Sequence, residues 1–442
     1  LWVVLFLVFP VFGGLFYIFV SFQSSTRWAK DRLERLERDS GSFLPDHSAY
    51  EDACKALPER VPQLHYLQTS GFPVYMHTVC DYFSPGEKLF AVLLTELEKA
   101  ERYIFLEFFI LEEGVMWDAI HGILQRKVQQ GVKVRVLYDD MGSFLTLPRD
   151  FPRCLEKEGI HCQVFNRFRP VLSSLQNNRD HRKIVSIDGK VAFTGGFNLA
   201  DEYINVKEKH GHWKDAGIRL HGEAAWGLTL MFLQMWNLVN QQTEDFAQYV
   251  PICNDTTRPE SDGFVQPYAD SPLDKENIGE HTYLQIINNA KRYIYIQTPY
   301  LIIDDSMVSA LSLAAKSGID VRIMTPRHWD KWVIHMTTRA YYRPLLEAGV
   351  RIYEYTPGFL HTKAFVSDDQ MATVGTINLD YRSLYLHFEC GVALYRNKAI
   401  QQVKEDFLRT QAICQEISVS DCQHRFLFRL FQELLRLFAP LL

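Results

Sequence analysis

The sequence predicts an α/β layered fold assembled from one unit used twice. Three observations carry this expectation. A buried-strand pattern, a helical stretch ending in glycine and a second strand occur around residues 103–137 and again around 293–323. Each set is followed by the same stretch: His-x-Lys, four residues, Asp, six residues, then Gly-[Gly/Thr]-x-Asn, once from His181 to Asn198 and once from His361 to Asn378. All matched positions are offset by 180 residues. Alternating strands and helices imply layers of helix on sheet. Two reactive-group patterns in fixed register imply that both serve one active site.

Residues 1–22 carry no charged side chain, and the first is Arg27. About 20 apolar residues suffice to span a bilayer, so a transmembrane helix is expected over 1–22. A signal peptide would need a basic leader and a small-residue cleavage site; a buried core helix is the other reading. Residues 23–62 are expected as a juxtamembrane helix and linker. Asp31 with Arg35 and Glu34 with Arg38 are i,i+4 pairs on that helix, and its five Lys/Arg favour the cytoplasmic side. A merely solvated helix explains the pairs equally well. The polar, turn-rich stretch 41–62 reads as the linker.

The first repeated half is expected over 63–245. Residues 103–109 read as a buried strand, 117–130 as a helix stopped by Gly131, and 132–137 as the next strand. The second half, 246–420, repeats this with a strand over 293–297, a helix over 307–317, Gly318 and a strand over 319–323. The join falls near 241–263. In 421–442, Arg425, Arg429, Gln432, Glu433 and Arg436 share one face of an expected amphipathic helix whose remainder is largely Phe and Leu. Both the membrane surface and the catalytic core are possible beds for it.

The 442 residues are 47% hydrophobic and 23% charged, with a net charge of −6. This is the balance of a globular enzyme without a broad basic surface, which weighs against a nucleic-acid partner. The eight cysteines form no C-x-x-C pair and read as free thiols of a reducing compartment.

The chemistry lies in the repeated motif. Ile184, Val185 and Ile187 favour a strand. Extended back over the motif, that strand puts His181 and Lys183 on one face and Asp188 on the other face or in the turn. Asp188 and Asp368 are therefore expected as turn and strand-end residues, with Asp188-Gly189 suited to a hairpin. Beyond it, Gly196 and Thr376 sit where backbone approaches a ligand. Asn198 and Asn378 suit the N-caps of following helices, which would make a phosphate cradle. A fixed ammonium beside an imidazole disfavours the imidazolium, so the ring stays neutral and nucleophilic near pH 7. It also neutralises phosphate oxygens. Two such histidines divide the work: one attacks phosphorus, and the other protonates the leaving alcohol. A lone His-x-Lys would carry little weight; two in register argue for a covalent phosphohistidine. Histidines at i and i+2 can hold zinc, but the second position here is a lysine, so no metal is expected.

These paired motifs resemble those of the phospholipase D superfamily. Longer stretches, from Phe264-Val265-Gln266-Pro267-Tyr268 to Asp274, Thr298-Pro299-Tyr300-Leu301, Tyr353 to Phe359, and Asn378-Leu379-Asp380-Tyr381-Arg382-Ser383, resemble bacterial cardiolipin synthases over nearly the whole chain. The resemblance implies two phospholipase D-like α/β/α sandwich halves forming one active site. It implies a reaction in which two phosphatidylglycerols become cardiolipin and glycerol, with phosphatidylglycerol and membrane lipids as partners and no cofactor. It also implies an acid beyond each motif, Asp215 in His212-Trp213-Lys214-Asp215 and Glu389 in His387-Phe388-Glu389, each orienting one histidine; a surface salt bridge is the alternative. The expected catalytic set is thus His181, Lys183, His361, Lys363, Asp215 and Glu389, with His181 taken as the nucleophile. The place implied is the bacterial cytoplasmic membrane, with the halves facing the cytoplasm. A phospholipase D-type hydrolase, with water as acceptor and phosphatidic acid as product, is the rival. The basic aromatic stretches at 166–169 with Arg179, and at 327–332, read either as headgroup contacts or as plain exposed loops. Nothing in the sequence sets an oligomeric state.

Overall fold

The computed structural model describes residues 24–168, 174–240, 244–252, 259–260, 262–422 and 426–439, with positions 10, 11 and 14 before them. Two mixed sheets form its centre. The first runs in the order Thr78–Phe83, Gly217–Gly222, Val191–Gly195, Ile184–Ile187, Tyr103–Phe108, Lys133–Asp139, His161–Phe165. The second runs Phe264–Asp270, His387–Tyr395, Met371–Gly375, Ala364–Ser367, Tyr293–Gln297, Asp320–Pro326, Arg351–Tyr355, with Cys414–Ile417 added at its edge. The sheets correspond strand for strand. In both, pairing is antiparallel up to the strand beside the motif and parallel over the next two steps. The parallel part explains the unbroken apolar runs: Tyr103–Phe108 and Tyr293–Gln297 are buried on both faces.

Each predicted helix between parallel strands is present. Val115–Gln129 buries Met116, Ile120, Ile123 and Leu124 at helical spacing. Gly131, at φ +87°, lets Val132 N donate to Lys127 O at 3.0 Å and closes the helix end. Asp305–Lys316 ends the same way at Gly318. Both helices begin two residues earlier than the apolar pattern suggests, because their starts are capped from outside it. Asp304 accepts from Met307 N, and the distant Asp201 carboxylate accepts from Val115 N and Met116 N.

Two segments differ from expectation. The stretch 41–62 is not an open linker: Ser48–Ala56 is a helix, and Val61–Thr69 follows. Ala53, Leu57, Leu64 and Leu67 are buried in the core of the second half, and the first sheet starts only at Thr78. Recurring apolar residues at helical spacing among polar ones outweigh the turn-rich composition. At the other end, Phe426–Leu437 lies on the helix Trp332–Ala340, with the Trp332 and Phe431 rings 6.0 Å apart. It buries Gln432 and lays Arg436 over the Tyr341 ring, while Leu430, Leu434 and Leu437 stay exposed. Part of its polar face thus turns inward.

The span expected over 1–22 lies almost wholly outside the described residues. Among those described, no helix is long and apolar enough to cross a membrane. Ser24–Ser40, the expected juxtamembrane helix, packs on Ala225–Asn240 through Ala29, Leu33 and Leu36. Ala225–Asn240 is apolar all round and buried for most of its length, as a helix between layers must be. The halves are fused by a shared core in which Ile184, Ala192 and Ile218 meet Ala364, Val374 and Val392.

Candidate active site

The histidines meet their acids across the seam between the halves. Two short parallel pairings make the seam: Arg179–Asp180 runs beside His387–Phe388, and Gly358–Leu360 beside His212–Lys214. One residue further along each pairing, His181 faces Glu389 and His361 faces Asp215. His181 N donates to Phe388 O at 2.9 Å, and His361 N to Lys214 O at 2.8 Å. The side chains follow: His181 Nδ1 lies 2.8 Å from Glu389 Oε1, and His361 Nδ1 lies 2.8 Å from Asp215 Oδ2. Each acid thus serves the histidine of the other half. All four residues are buried.

The motifs differ in detail from the strand reading. The strands begin only at Ile184 and Ala364; His181–Lys183 and His361–Lys363 lie before them. The seam takes up this backbone, so it does not continue the ladder. Both lysines fold back, Lys183 Nζ donating to His181 O and Lys363 Nζ to His361 O, each at 2.5 Å. An ammonium has three protons, so each keeps two for a phosphate.

Asp188 and Asp368 occupy turns at φ +55° and +57°. Each carboxylate clamps three backbone N–H groups of the neighbouring strand's start: Glu101, Arg102 and Tyr103 in one half, Lys291, Arg292 and Tyr293 in the other. This fixes the motif strand against its neighbour. Asp368 also receives the buried Arg60 guanidinium at 3.2 Å.

The asparagines do not cap helices. After Asn198 comes only a short 3₁₀ turn, Asp201–Ile204; after Asn378 comes Tyr381–Tyr385, capped by Asp380 through Ser383 N. Asn198 instead accepts from Ile110 N at 3.0 Å and donates to Tyr203 Oη at 2.7 Å. A carboxylate two residues further on, Asp380, takes the cap in the second half, so the expected helix-terminal cradle is absent from both. Thr376 and Gly196 stand against the acids. Thr376 Oγ1 and Ser383 Oγ donate to the two Glu389 oxygens. At Gly196 any Cβ would collide with Asp215 Oδ1 and His361 O.

Burial dominates the electrostatics. It pushes His181 well below its usual range, with Lys183, His387, Lys363 and His361 adding repulsion. His361 falls to about 4 through burial and Lys363, against the pull of Asp215. Lys183 falls to about 8 and Lys363 to about 7, both chiefly by burial. Burial drives Glu389 well up, against Lys183 and its two hydroxyl donors. Resting imidazoles are therefore neutral, the state a nucleophile needs. That each histidine responds to the lysine of the other half is the electrostatic sign of one shared site.

Sequence reasoning passed over several neighbours. His387 lies with its ring 5.5 Å from that of His181, and its Nδ1 is buried without a hydrogen-bond partner. With His181 and Glu389 it makes the one group of metal-ligating reach among the described residues. Its place two residues before Glu389 was the available signal. Around His361 stand Tyr203, Trp213 and Phe359, with ring centres 5.4 to 6.0 Å away. Arg179 is not free for a headgroup: it is buried on Asp139 at 2.8 Å. The seven described cysteines are free thiols.

A doubled α/β fold with two histidines on cross-half acids defines a phosphoryl-transfer protein of the duplicated phospholipase D type. Comparison with known proteins narrows this. A family model described as "Cardiolipin synthase, PLD-like domain" matches residues 93–211 and 283–411. A cardiolipin synthase of Geobacillus sp. (strain WCH70) is 35% identical over 100% of this chain and 88% of its own length. An uncharacterized protein of Streptococcus mutans is 44% identical over 100% of this chain and 96% of its own. The crystal structure of phosphatidylserine synthase from Haemophilus influenzae Rd KW20 shares the fold, with a TM-score of 0.62 at 14% identity, covering 86% of this chain and 98% of that one. The chain belongs to the cardiolipin synthase family of the phospholipase D superfamily.

Proposed function

We propose that the chain is a cardiolipin synthase, moving a phosphatidyl group from one phosphatidylglycerol to a second through a phosphohistidine. The observation that carries the mechanism is the crossed pairing of His181 with Glu389 and His361 with Asp215. It commits Nδ1 of each ring and leaves Nε2 as the reactive nitrogen. His181, held neutral by burial and by the Lys183 and Lys363 charges beside it, attacks phosphorus. The P–O bond to the glycerol headgroup breaks, and His361, which takes up a proton from solvent as the anionic phosphodiester binds and whose protonated form Asp215 supports, gives that oxygen its proton. His361 then takes the proton of the second lipid's glycerol hydroxyl, whose oxygen attacks phosphorus and releases His181. Lys183 and Lys363 hold the phosphate oxygens throughout.

The reading includes residues 1–22 as a membrane anchor and the cytoplasmic face of the bacterial membrane as the place of work. Its support is the uncharged stretch and the basic helix after it. The test is product analysis with phosphatidylglycerol alone in detergent micelles, following lipids and free glycerol by mass spectrometry. Cardiolipin with matching glycerol is expected. Phosphatidic acid without cardiolipin would make water the acceptor and refute the transferase.

A further inference from the structure

The duplicated topology produces a second matched pair besides the motifs. In each half, the chain leaves the parallel strand next to the motif's neighbour, Lys133–Asp139 or Asp320–Pro326, and forms a loop with apolar side chains held out in solvent. In the first half these are Met141, Phe144 and Leu145, the last 92% exposed, with Phe168 packed edge-on against Phe144 at 5.9 Å. In the second they are Trp329, 51% exposed, in the loop, and Trp332 and Val333 at the start of the helix that follows it. Against Trp332 lies the helix Phe426–Leu437, whose outward residues include Leu430 and Leu434, 48% exposed. Exposed aromatics and leucines in one place are costly in water and call for an occupant.

Both loops rise from the end of the sheet that holds the histidines. Asp139, at the root of the first, binds Arg179 and the Asp180 N–H, one residue before His181. In the second, Asp330 accepts from Tyr300 Oη at 2.6 Å; the Tyr300 ring is 6.5 Å from Phe359, which is 6.0 Å from His361. Ligands of open α/β sheets sit at the carboxyl ends of the strands, so the loops flank one mouth. Their charges differ from those of the chain as a whole. Although the net charge is −6, exposed Arg149, Arg153 and Arg167 cluster beside the first loop and outnumber the one acid among them, Asp150. In the second, Lys331 and Arg327 are exposed, Arg327 reaching Glu354 at 3.6 Å. Tryptophan and leucine tips ringed by cations are the composition of segments that lie in an anionic lipid interface.

We infer that the two loops and the outer face of Phe426–Leu437 form a membrane-seating rim, which sets the active-site mouth on an anionic phospholipid bilayer so that lipid headgroups enter without leaving it. This rests on the lipid substrate proposed above. The inward turn of Gln432 and Arg436 is then accounted for: the helix anchors to the protein by its polar side and offers leucines to lipid. A second copy of the chain is the competing occupant, but it would leave the cations of both loops facing their own kind.

The test uses the full chain with vesicles of phosphatidylcholine and phosphatidylglycerol, with and without bromine on the acyl chains. Subtracting the emission of Trp329→Phe/Trp332→Phe from that of the wild type isolates these two tryptophans. The rim requires that this difference emission be quenched by brominated lipid; unquenched emission, as expected in water or against a second copy, overturns it. In parallel, Leu145→Asp/Leu434→Asp should lose about a hundredfold or more in cardiolipin formation on vesicles, since two leucines that seat in lipid are each replaced by a charge. Turnover of dispersed short-chain phosphatidylglycerol should stay unchanged. Equal loss on both substrates would place these leucines in the fold or the chemistry and overturn the rim. If the wild type makes no cardiolipin from either substrate, the proposed function fails, while quenching still decides the rim.

Discussion

The two half-sites share a frame but not a lining. Each has a histidine, a lysine folded onto its carbonyl, and an acid delivered across the seam in the same register. Around His181 the neighbours are Phe109 and a third histidine, His387. At the position matching His387, two residues before the acid, the other half has Trp213, and with Tyr203 and Phe359 it encloses His361 in aromatic surface. The acids differ as well. Glu389 accepts from Thr376 and Ser383 besides touching His181, whereas Asp215 accepts from Ala216 N besides touching His361. Duplication therefore fixes the geometry, and divergence of the surroundings divides the labour between nearly equivalent imidazoles. Both are kept neutral chiefly by burial, but His181 has only repulsive neighbours acting on its charge, whereas Asp215 pulls His361 toward its cation.

The largest effects should come from the histidines themselves. His181→Ala and His361→Ala should each lower kcat by about ten-thousand-fold, the scale for removing a nucleophile or a general acid–base. The discriminating readout is the covalent intermediate. With labelled phosphatidylglycerol and rapid quenching, His361→Ala should still form a phosphatidyl-histidine slowly, and His181→Ala should form none. The reverse result would exchange the two roles and leave the shared site standing.

The acids sharpen the same contrast at smaller scale. Asp215→Asn removes the charge that supports the proton carrier, and a loss of about a thousandfold in kcat is expected, near that seen when a catalytic imidazole loses its orienting carboxylate. Glu389→Gln should cost only about tenfold. His181 works as the neutral ring, and a glutamine keeps one oxygen to accept from that ring's Nδ1 and the Ser383 hydroxyl while its NH2 donates to Thr376 Oγ1. Equal losses from the two variants would mean that both acids act by the same means, and the asymmetry of lining would carry no division of roles.

Much of this was legible in the sequence, and the boundary has a physical cause. The doubled strand–helix–strand pattern and the paired motifs depend on periodicity and identity, which are local. The turn roles of Asp188 and Asp368 followed from strand parity. The crossing of acid and histidine did not, because two-residue parallel pairings such as Arg179–Asp180 on His387–Phe388 leave no periodic trace. The helix caps expected at Asn198 and Asn378 failed for a related reason. Tyr203 and Asp380, five and two residues on, decide where those side chains and helix starts go. His387 stood in plain view beside Glu389, but its nearness to His181 arises only across the seam.

The aspartates of the motif extend the comparison to stability. Asp188→Ala strips the carboxylate from three buried or half-buried N–H groups and should cost about 2–3 kcal/mol in denaturant unfolding. Asp368→Ala removes the same clamp and also leaves the Arg60 guanidinium, 1% exposed, without its 3.2 Å partner. Breaking a buried pair from one side costs about 3–5 kcal/mol, so the second variant should be the less stable. Arg60→Met with Asp368→Ala should recover part of the difference. Equal destabilisation by the two single variants would show that the Arg60 pair contributes nothing.

The smallest and most specific effect concerns His387. In the free enzyme, raising pH through 7 to 8 discharges Lys363, held at about 7, and then Lys183, held at about 8, so kcat/KM should fall on the alkaline side over that range. Lowering pH protonates the nucleophile and gives the acid limb. His387, itself held at about 3 by burial and nearby cations, carries charge only at the acid end, where it opposes protonation of His181; over the range in which the lysines discharge it is neutral. His387→Asn should therefore move the acid limb to higher pH and leave the alkaline limb in place, with less than about a tenfold change in kcat at pH 7. A matching change at Trp213, to phenylalanine, should move neither limb, since an indole carries no charge to withdraw. An acid limb that stays fixed in His387→Asn while KM rises would make His387 a contact for the lipid headgroup, and the neutrality of His181 would then rest on burial and the lysines alone.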